Sequence, residues 1–469
     1  MRLADRSKRI QKGRRMNLKG CLGFCSGIFW VVSILFIDEP ISDSPTSDSP
    51  KSVSPIKAET ENILFTPNGQ MEIVLPITFR PNWSIEFPNK KEYLVGDWYQ
   101  IKRSNSVSLG VSKDPQIFLT NKDRLPGGIL SATDRVVIWR PAWAVPKTGF
   151  SSNHEKKLNS LPQEKLSLFS ESVKIPISRI GAIRFRQFRK NSGEMGNFLD
   201  QLGGQRNKDI LVLVGGGKLE GTFLQWKEET KECHFQIGNE IKEIAGRDIE
   251  SIFFNTNLSA RPNNRVKLAR ISLTDGTLLH LSTLSVQKTE SIARLWFNQE
   301  IRFPSDKIVS IIPESDQIVS LGTLSPIKYR SEAFLQEKYP WVSGQNCLKH
   351  PISLYIGDTV NYFEDGIGLH SQCQITYDLK NRYQNLVGLF GLDAVDGNQG
   401  SCLLQIYRDG KPLWEKPHLF QGQDNAEQLS IDVSSTNELR LELLWGRNGP
   451  IGDVFNLADP VLIKKRNGK

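Results

Sequence analysis

Short apolar runs, broken every few residues by Pro, Gly, Asn or Asp, dominate the chain from about residue 62 onward. Ile73-Val74-Leu75, Tyr93-Leu94-Val95 and Val136-Val137-Ile138-Trp139 are examples. Runs this short between turn-forming residues are typical of β-strands, and the 3.6-residue period of an amphipathic helix is scarce. We therefore predict an all-β chain. Three short segments are the exceptions predicted to be helical: Glu155–Leu168, Glu194–Leu202 and Glu332–Lys338.

The first 37 residues have the pattern of an export segment. Eight of residues 1–20 are Lys or Arg, and residues 21–37 (CLGFCSGIFWVVSILFI) contain no charge. A basic flank followed by an apolar run predicts a signal anchor or a signal peptide, with a helix near the lower length limit for crossing a membrane. No A-x-A-like cleavage site follows, which favours an uncleaved anchor, although a cleaved signal peptide is the alternative. The positive-inside rule then leaves residues 1–20 as a cytoplasmic tail and exports the body, which makes the protein membrane-anchored or secreted.

Length and composition divide the remaining chain. Residues 38–61 are rich in Ser, Pro and Asp and predict an extended linker. The total of 469 residues is too many for one ordinary domain. We predict a β-rich domain at 62–205, small β repeats at 206–318 and a C-terminal domain at 319–465.

Most of the net charge of +9 comes from the basic tail, and the body is nearly neutral. This distribution gives no general electrostatic reason for nucleic-acid binding. We therefore predict no nucleic-acid partner, and RNA binding by the repeats is a disfavoured alternative.

A weak internal repeat runs through the middle of the chain. Residues 210–254, 269–312 and, more loosely, 123–185 share the order strand, Gly-rich turn, strand, strand and a short final strand with alternating apolar residues. Glycine supplies the positive φ of tight hairpins, and alternation places one face of a strand inward. This pattern is similar to that of small Sm-like or SH3-like barrels. A generic antiparallel sheet is the alternative.

Four blocks of the C-terminal third carry a more specific pattern. Asp409-Gly410 after an apolar strand predicts a type I′ hairpin, and Leu439, Leu441 and Leu443 alternate with charged residues as in a strand with one wet face. In their order and spacing the blocks resemble the NPCBM domain, a carbohydrate-binding module first described in glycoside hydrolase family 98 proteins. The blocks are Gly366–Ser371 with Ile375–Leu379, Val387–Asp393, Leu404–Lys411 and Leu439–Leu443.

The resemblance implies a β-sandwich of jelly-roll type over residues 319–465. Family members that bind sugar recognise galactose-type glycans, so a galactose-type glycan or an envelope polysaccharide is the implied ligand. Near the end of the domain, Asp453 and Asp459 match a family pattern of roughly D-H-x-D-W-x-D, whereas Leu457 replaces its tryptophan and Phe455 is the nearest aromatic residue. The candidate ligand-binding residues are His370, Asp393, Asp453, Phe455 and Asp459.

Several of these residues have a structural interpretation as well. His370 either donates a hydrogen bond to a ligand or is buried and locks the Gly-rich segment to a neighbouring strand. Trp414 and Trp445 either pack in the core, which is the default for tryptophan beside apolar strands, or face a ligand. A run of oxygen-bearing side chains and glycines is either a calcium loop or an acidic turn without metal: Asp393, Asp396, Gly397, Asn398 and Gly400.

The cysteines and the missing catalytic motifs complete the prediction. The body contains Cys233, Cys347, Cys373 and Cys402, whose spacing does not suit zinc and which form either disulfides or free buried thiols. The sequence has no G-x-S-x-G or H-E-x-x-H motif and no strand–helix alternation of a (β/α)₈ barrel. We expect a non-catalytic bacterial protein without a metal or other cofactor that binds carbohydrate. The alternative is a structural or adaptor protein of the cell envelope that binds other proteins.

Overall fold

The computed structural model describes residues 62–465 except 68, 74–75, 87–91, 104–114, 145–169, 189–193, 263–266, 333–337 and 417. Within those residues the chain forms 35 β-strands and one α-helix, α1 (Glu194–Gly203), which confirms the all-β prediction and the helix predicted from Glu194. Residues 21–37, the linker at 38–61 and the predicted helix Glu155–Leu168 lie outside the described residues. The predicted helix Glu332–Lys338 also lies outside them, except for its two end residues. Among the described residues, no helix has the length and apolar character that crossing a bilayer requires.

The first 21 strands of the described chain form four consecutive barrel units. Barrel unit 1 contains β1 (Asn62–Thr66), β2 (Gly69–Ile73), β3 (Ile77–Phe79), β4 (Ile85–Glu86), β5 (Glu92–Tyr93) and β6 (Gln100–Arg103). Barrel unit 2 contains β7 (Gln116–Leu119), β8 (Arg124–Thr133), β9 (Val136–Pro141), β10 (Val173–Pro176) and β11 (Ile180–Arg184). Barrel unit 3 contains β12 (Asp209–Leu213), β13 (Lys218–Lys227), β14 (Glu232–Ile237), β15 (Glu240–Ala245) and β16 (Ile249–Phe253). Barrel unit 4 contains β17 (Ala269–Leu273), β18 (Leu278–Val286), β19 (Glu290–Leu295), β20 (Glu300–Pro304) and β21 (Ile308–Pro313).

The same pairing order recurs in each barrel unit. The first strand pairs with both the second and the last strand, as in β12–β13 and β12–β16, and a long bent second strand connects to the third. In barrel units 2, 3 and 4 a one-turn 3-10 helix precedes the last strand: Ile177–Arg179, Gly246–Asp248 and Ser305–Lys307. This is the strand order of an SH3-like barrel. The order is present in the described strands of the three predicted repeats and also at 62–103, where the second strand is broken into β2 and β3.

The barrel units associate in two pairs through their last strands. Strand β11 pairs with β16, which joins barrel units 2 and 3, and β6 pairs with β21, which joins barrel units 1 and 4. The second strands also pair, β8 with β13 and β3 with β18. Strands from 62–205 therefore pair with strands from 206–318, and one hydrophobic core spans both ranges. The predicted boundary near residue 205 does not separate two cores.

The C-terminal strands form two antiparallel sheets packed around a second core. The first sheet contains β22 (Ile318–Ser320), β24 (Val342–Ser343), β27 (Gly366–His370), β29 (Tyr383–Leu392), β33 (Glu427–Asp432) and β35 (Val454–Lys464). The second sheet contains β23 (Lys328–Ser331), β28 (Cys373–Asp378), β30 (Ser401–Arg408), β31 (Lys411–Glu415), β32 (Phe420–Gln421) and β34 (Glu438–Trp445). A separate hairpin is made by β25 (Ile352–Ile356) and β26 (Thr359–Phe363). The orders β27-β35-β29-β33 and β28-β34-β30-β31 are those of a jelly roll, which confirms the predicted sandwich.

Different elements of the chain cover the β11–β16 junction and the β6–β21 junction. Over the β11–β16 junction, α1 packs Phe198 and Leu202 against apolar side chains such as Val212 and Phe253. Over the β6–β21 junction lies the sandwich, whose hairpin β25–β26 and Asp459 face polar side chains of the barrel units across a small cavity. The sandwich therefore covers the β6–β21 junction in the same way that α1 covers the β11–β16 junction.

Strand β8 offers a direct test of the tight barrel packing. Gly127 has a φ of +152°, and a Cβ built there would lie 2.0 Å from the carbonyl oxygen of Arg140 and 2.7 Å from Nε1 of Trp139. We expect Gly127→Ala to lower the free energy of unfolding by about 2 kcal/mol, because backbone atoms cannot move aside easily. The neighbouring Gly128 has no atom within 4 Å of such a Cβ, so Gly128→Ala is the matched control. Equal urea midpoints for the two variants would contradict this packing.

Candidate functional site

A tryptophan stands exposed at the rim of the sandwich. Leu439, Leu441 and Leu443 of β34 point into the core and are buried, and Trp445 continues the same row by period-2 alternation. Trp445 is nevertheless 45% exposed, one of the largest apolar side chains on the surface of the described chain. The inward-facing row therefore runs past the covered core and presents an indole to solvent.

Polar residues lie in the loop that follows Trp445 and in the segment that precedes Cys402, the residue paired with Trp445. Gln399, Arg447 and Asn448 are exposed, and Nδ2 of Asn448 donates to the carbonyl oxygen of Gln399 at 2.6 Å. The backbone N–H of Arg447 donates to Oγ of Ser401 at 3.3 Å, which ties the loop after β34 to the start of β30. We call Gln399, Trp445, Arg447 and Asn448 the Trp445 rim. It combines one aromatic surface with amide and guanidinium groups that hydrogen-bond.

Asp453 is a buried carboxylate that connects to the Trp445 rim through Ser401. The side chain is fully buried, and its Oδ1 accepts a 2.7 Å hydrogen bond from the backbone N–H of Ser401. Its Oδ2 and the Oγ of Ser371 are both buried and lack a hydrogen-bond partner of good geometry within the described structure. Burial raises the pKa of Asp453 to about 6, and the nearby Ser371 hydroxyl and the Ser401 N–H partly offset that rise. The carboxylate fixes the start of β30 at Ser401, whose Oγ accepts a hydrogen bond from the N–H of Arg447 in the loop after Trp445.

His370 takes the structural role that was one of its two predicted interpretations. Its ring is stacked on Tyr339 with centroids 4.2 Å apart and an interplanar angle of 16°, and the residue is 9% exposed. Burial lowers the pKa of His370, so the ring is neutral around pH 7. The histidine at the end of β27 thus holds residues 338–340 against the sandwich.

Asp393 is the centre of an internal hydrogen-bond network. Its carboxylate accepts from the Ser353 hydroxyl at 2.8 Å and from Nδ2 of Asn456 at 2.7 Å. It also accepts from the N–H groups of Val395 and Asp396. A calcium ion at this position would have to displace these donors, so the arrangement favours the acidic turn over the predicted calcium loop. The buried carboxylate fixes the turn that leads to Gln399.

The last two predicted residues are also structural in position. Phe455 is fully buried and packs edge-on against Phe420, with ring centroids 5.1 Å apart, so it has no face available for a sugar. Asp459 points toward the barrel units and accepts a 2.8 Å hydrogen bond from the guanidinium of Arg270. Arg270 also lies 3.8 Å from Asp365, so two sandwich carboxylates share one barrel arginine. Asp459 therefore joins the sandwich to the barrel units.

Of the five predicted ligand-binding residues, His370, Asp393, Asp453 and Phe455 are buried, and the side chain of Asp459 is 15% exposed. Core packing, the predicted default for Trp445, is wrong, because Trp445 is 45% exposed. The alternation along β34 was readable in the sequence and placed Trp445 with the buried leucines. The sequence of β34 does not show where the opposing sheet ends, because strands distant in sequence form that edge. Trp414, in contrast, is half-buried against the core as the default predicted.

The four cysteines of the body are free and buried, which is the second of the two predicted states. Burial raises the pKa of both Cys233 and Cys373 to about 12, so these thiols are protonated and unreactive at neutral pH.

A jelly-roll sandwich is an architecture that lectin domains share. Residues 324–463 match the NPCBM/NEW2 domain family, and the chain therefore carries an NPCBM/NEW2 domain, as the four sequence blocks predicted. No curated protein matches the sequence.

Solved structures similar to this chain include three groups of CBM51 modules. The CBM51 of a Clostridium perfringens GH95 protein, in complex with methyl-galactose, is 19% identical, with a TM-score of 0.28 over 31% of this chain and 99% of that one. The CBM51-2 and INT domains of C. perfringens ZmpB, with GlcNAc, are 19% identical, with a TM-score of 0.29 over 39% and 37%. Tandem CBM51 modules of a Streptococcus pneumoniae family 98 glycoside hydrolase are 12% identical, with a TM-score of 0.29 over 42% and 71%.

The raised pKa of Asp453 predicts a measurable pH dependence. Between about pH 4 and about pH 6 the folded protein holds a proton on this carboxyl that the unfolded chain has lost, so raising the pH removes stability from the folded state. Asp453→Asn keeps the oxygen that Ser401 binds and lacks the titration. We expect the stability of the wild type, relative to this variant, to fall as the pH rises through that window. Urea unfolding at several pH values measures the difference, and parallel profiles would contradict it.

The Arg270 ion pairs predict a strong coupling between the sandwich and the barrel units. Side chains of Arg270 and Asp459 are each 15% exposed, so Arg270→Ala leaves buried carboxylates without their cation. We expect a loss of about 3 kcal/mol in the free energy of unfolding, measured by urea denaturation. Arg294, paired with Glu300 on the surface, is the control, and Arg294→Ala should cost about 0.5 kcal/mol or less. A cost for Arg270→Ala as small as that of the control would show that the joint does not depend on this pair.

Proposed function

We propose that this protein binds carbohydrate through the Trp445 rim of its NPCBM/NEW2 domain. The observation that carries the proposal is the exposed indole at the end of a row of otherwise buried leucines. Tryptophan is common where one surface must be both apolar and hydrogen-bonding, and the exposed indole of Trp445 offers such a surface.

The chemistry of the Trp445 rim suits a sugar ring. A pyranose offers an apolar C–H face to the flat indole, while its hydroxyls need partners that donate and accept. Arg447 donates, and the amides of Gln399 and Asn448 do both. The ligand class is a galactose-type glycan or an envelope polysaccharide, which extends the family resemblance to this surface.

The remainder of the chain displays this surface. Residues 21–37 anchor the protein in a bacterial membrane or direct its secretion, and residues 38–61 separate the folded body from the membrane surface. The barrel units support the sandwich through the Arg270 ion pairs. Binding without catalysis is the activity of the whole protein in this proposal, and the basic tail with its uncharged run supports the export step.

Removing the indole tests the proposed function. We expect Trp445→Ala to weaken glycan binding by about tenfold or more, because the stacking surface is lost, while Trp445→Phe retains part of it. The measurement is binding of the full chain, solubilised in detergent, to an array of galactose- and GlcNAc-containing glycans. Circular dichroism confirms that each variant is folded.

Leu258→Ala is the matched control, because Leu258 is 68% exposed but belongs to the barrel units. It should bind as the wild type does. Wild-type protein that binds no glycan of the array would contradict the proposal and leave the adaptor alternative, which the replacement of the family tryptophan by Leu457 suggested. Full binding by Trp445→Ala would place the site elsewhere on the sandwich.

A further inference from the structure

Three potential metal ligands lie together on barrel unit 3, far in sequence from the Trp445 rim. His234 is directly opposite Glu243 in the β14–β15 pairing, and Glu232 is two residues before His234 on the same face of β14. One donor atom from each of these side chains lies within 4.8 Å of the others. Cys233 and Phe235, which alternate with them, point into the barrel core. The cluster thus occupies the outer face of a hairpin.

The histidine of this cluster is buried without a hydrogen bond for one of its nitrogens. His234 is 8% exposed, and its Nε2 has no hydrogen-bond partner in the described structure. A buried imidazole nitrogen in this state is unfavourable and needs a partner. Nε2 lies 3.3 Å from Oε1 of Glu243, within ion-pair distance but without the alignment of a hydrogen bond.

That separation suits two ligands of one metal ion. Zinc bonds of about 2.0–2.1 Å to nitrogen and oxygen place two corners of a tetrahedron about 3.3–3.4 Å apart. A charge-assisted hydrogen bond between the same atoms would be shorter, at about 2.7–2.9 Å. The 3.3 Å between Nε2 and Oε1 therefore fits two ligands of one metal ion.

Gln225 supplies the outer contact that metal-binding histidines use. Its side-chain amide lies 3.0 Å from Nδ1 of His234, on the strand that pairs with β14. The amide atom nearest Nδ1 is the nitrogen Nε2 of Gln225. Turning this amide by 180° brings its oxygen to the same place, where it accepts the Nδ1–H and leaves the Nε2 lone pair of His234 for a metal.

We propose that Glu232, His234 and Glu243 bind a divalent transition metal ion, with Zn²⁺ as the preferred ion and water as its fourth ligand. One imidazole and two carboxylates suit Zn²⁺ better than Ca²⁺, which prefers six to eight oxygen ligands. Strand β15 pairs with β14 alone among the described strands, so the ion ties an edge strand to the barrel. The function is to fasten the outer hairpin of barrel unit 3.

Metal titration of the full chain tests this site. We expect the wild type to bind one more Zn²⁺ per chain than His234→Ala, by equilibrium dialysis with elemental analysis. Co²⁺ in place of Zn²⁺ should give the intense visible absorption of tetrahedral cobalt, and His234→Ala should lose it. Glu243→Gln should weaken binding by about tenfold or more, and Gln225→Leu, which removes the outer contact, by about tenfold.

Glu240→Gln is the matched control, because it removes the same charge from the same strand but lies outside the cluster. It should bind Zn²⁺ as the wild type does. Equal zinc stoichiometry in the wild type, His234→Ala and Glu243→Gln would overturn the proposal and leave an ion pair of His234 with Glu243 only. Because Glu243 is exposed, Glu243→Gln keeps the test valid if His234→Ala fails to fold, which thermal melts without metal will show.

Discussion

The pairing of the last strands of the barrel units is the constraint on which the rest of this structure depends. A β-strand at the edge of a sheet has unpaired N–H and C=O groups, and pairing β11 with β16 and β6 with β21 removes four such edges at once. Each pairing also makes a wider sheet with one face inside the barrel cores and one face outside. Those two outer faces need covers, and the covers determine how the remaining elements are placed.

The two covers differ because of residues at equivalent positions. The second residue of the first strand is Ile210 in barrel unit 3 and Arg270 in barrel unit 4. Ile210 packs in the apolar cluster under α1, whereas Arg270 receives Asp365 and Asp459 from the sandwich. Burial is favourable for an apolar face against a helix, but a buried guanidinium requires carboxylates. A change in side-chain chemistry at one repeat position thus selects which element docks on which junction.

In the sandwich, buried carboxylates support the surface that we propose binds sugar. Asp393 and Asp453 are candidate ligand contacts in the sequence because they match positions of the NPCBM family pattern. Instead they accept hydrogen bonds from the backbone of the turns that border Gln399 and Trp445. An aspartate that organises a loop and one that touches a ligand have the same sequence signature, since both lie between a strand and a glycine-containing turn, as Asp393 does after β29 and Asp453 before β35. Phe455 is the aromatic residue nearest to Leu457, which replaces the tryptophan of the family pattern, but its ring is buried against Phe420.

The sequence by itself determined the strands, the repeated barrel order and the NPCBM/NEW2 sandwich. Those features depend on local alternation and turn residues, such as Leu439, Leu441 and Leu443 or Asp409-Gly410, which act within a few residues of each other. Only the tertiary structure decided that Trp445 is exposed, that Asp459 meets Arg270, and that His234 meets Glu243 on the outside of a barrel unit. Each of these features depends on where one sheet ends or on which strands become neighbours. Alternation along a strand assigns a side chain to one face of the sheet but does not specify what covers that face. The cover is determined by packing between segments that are distant in sequence.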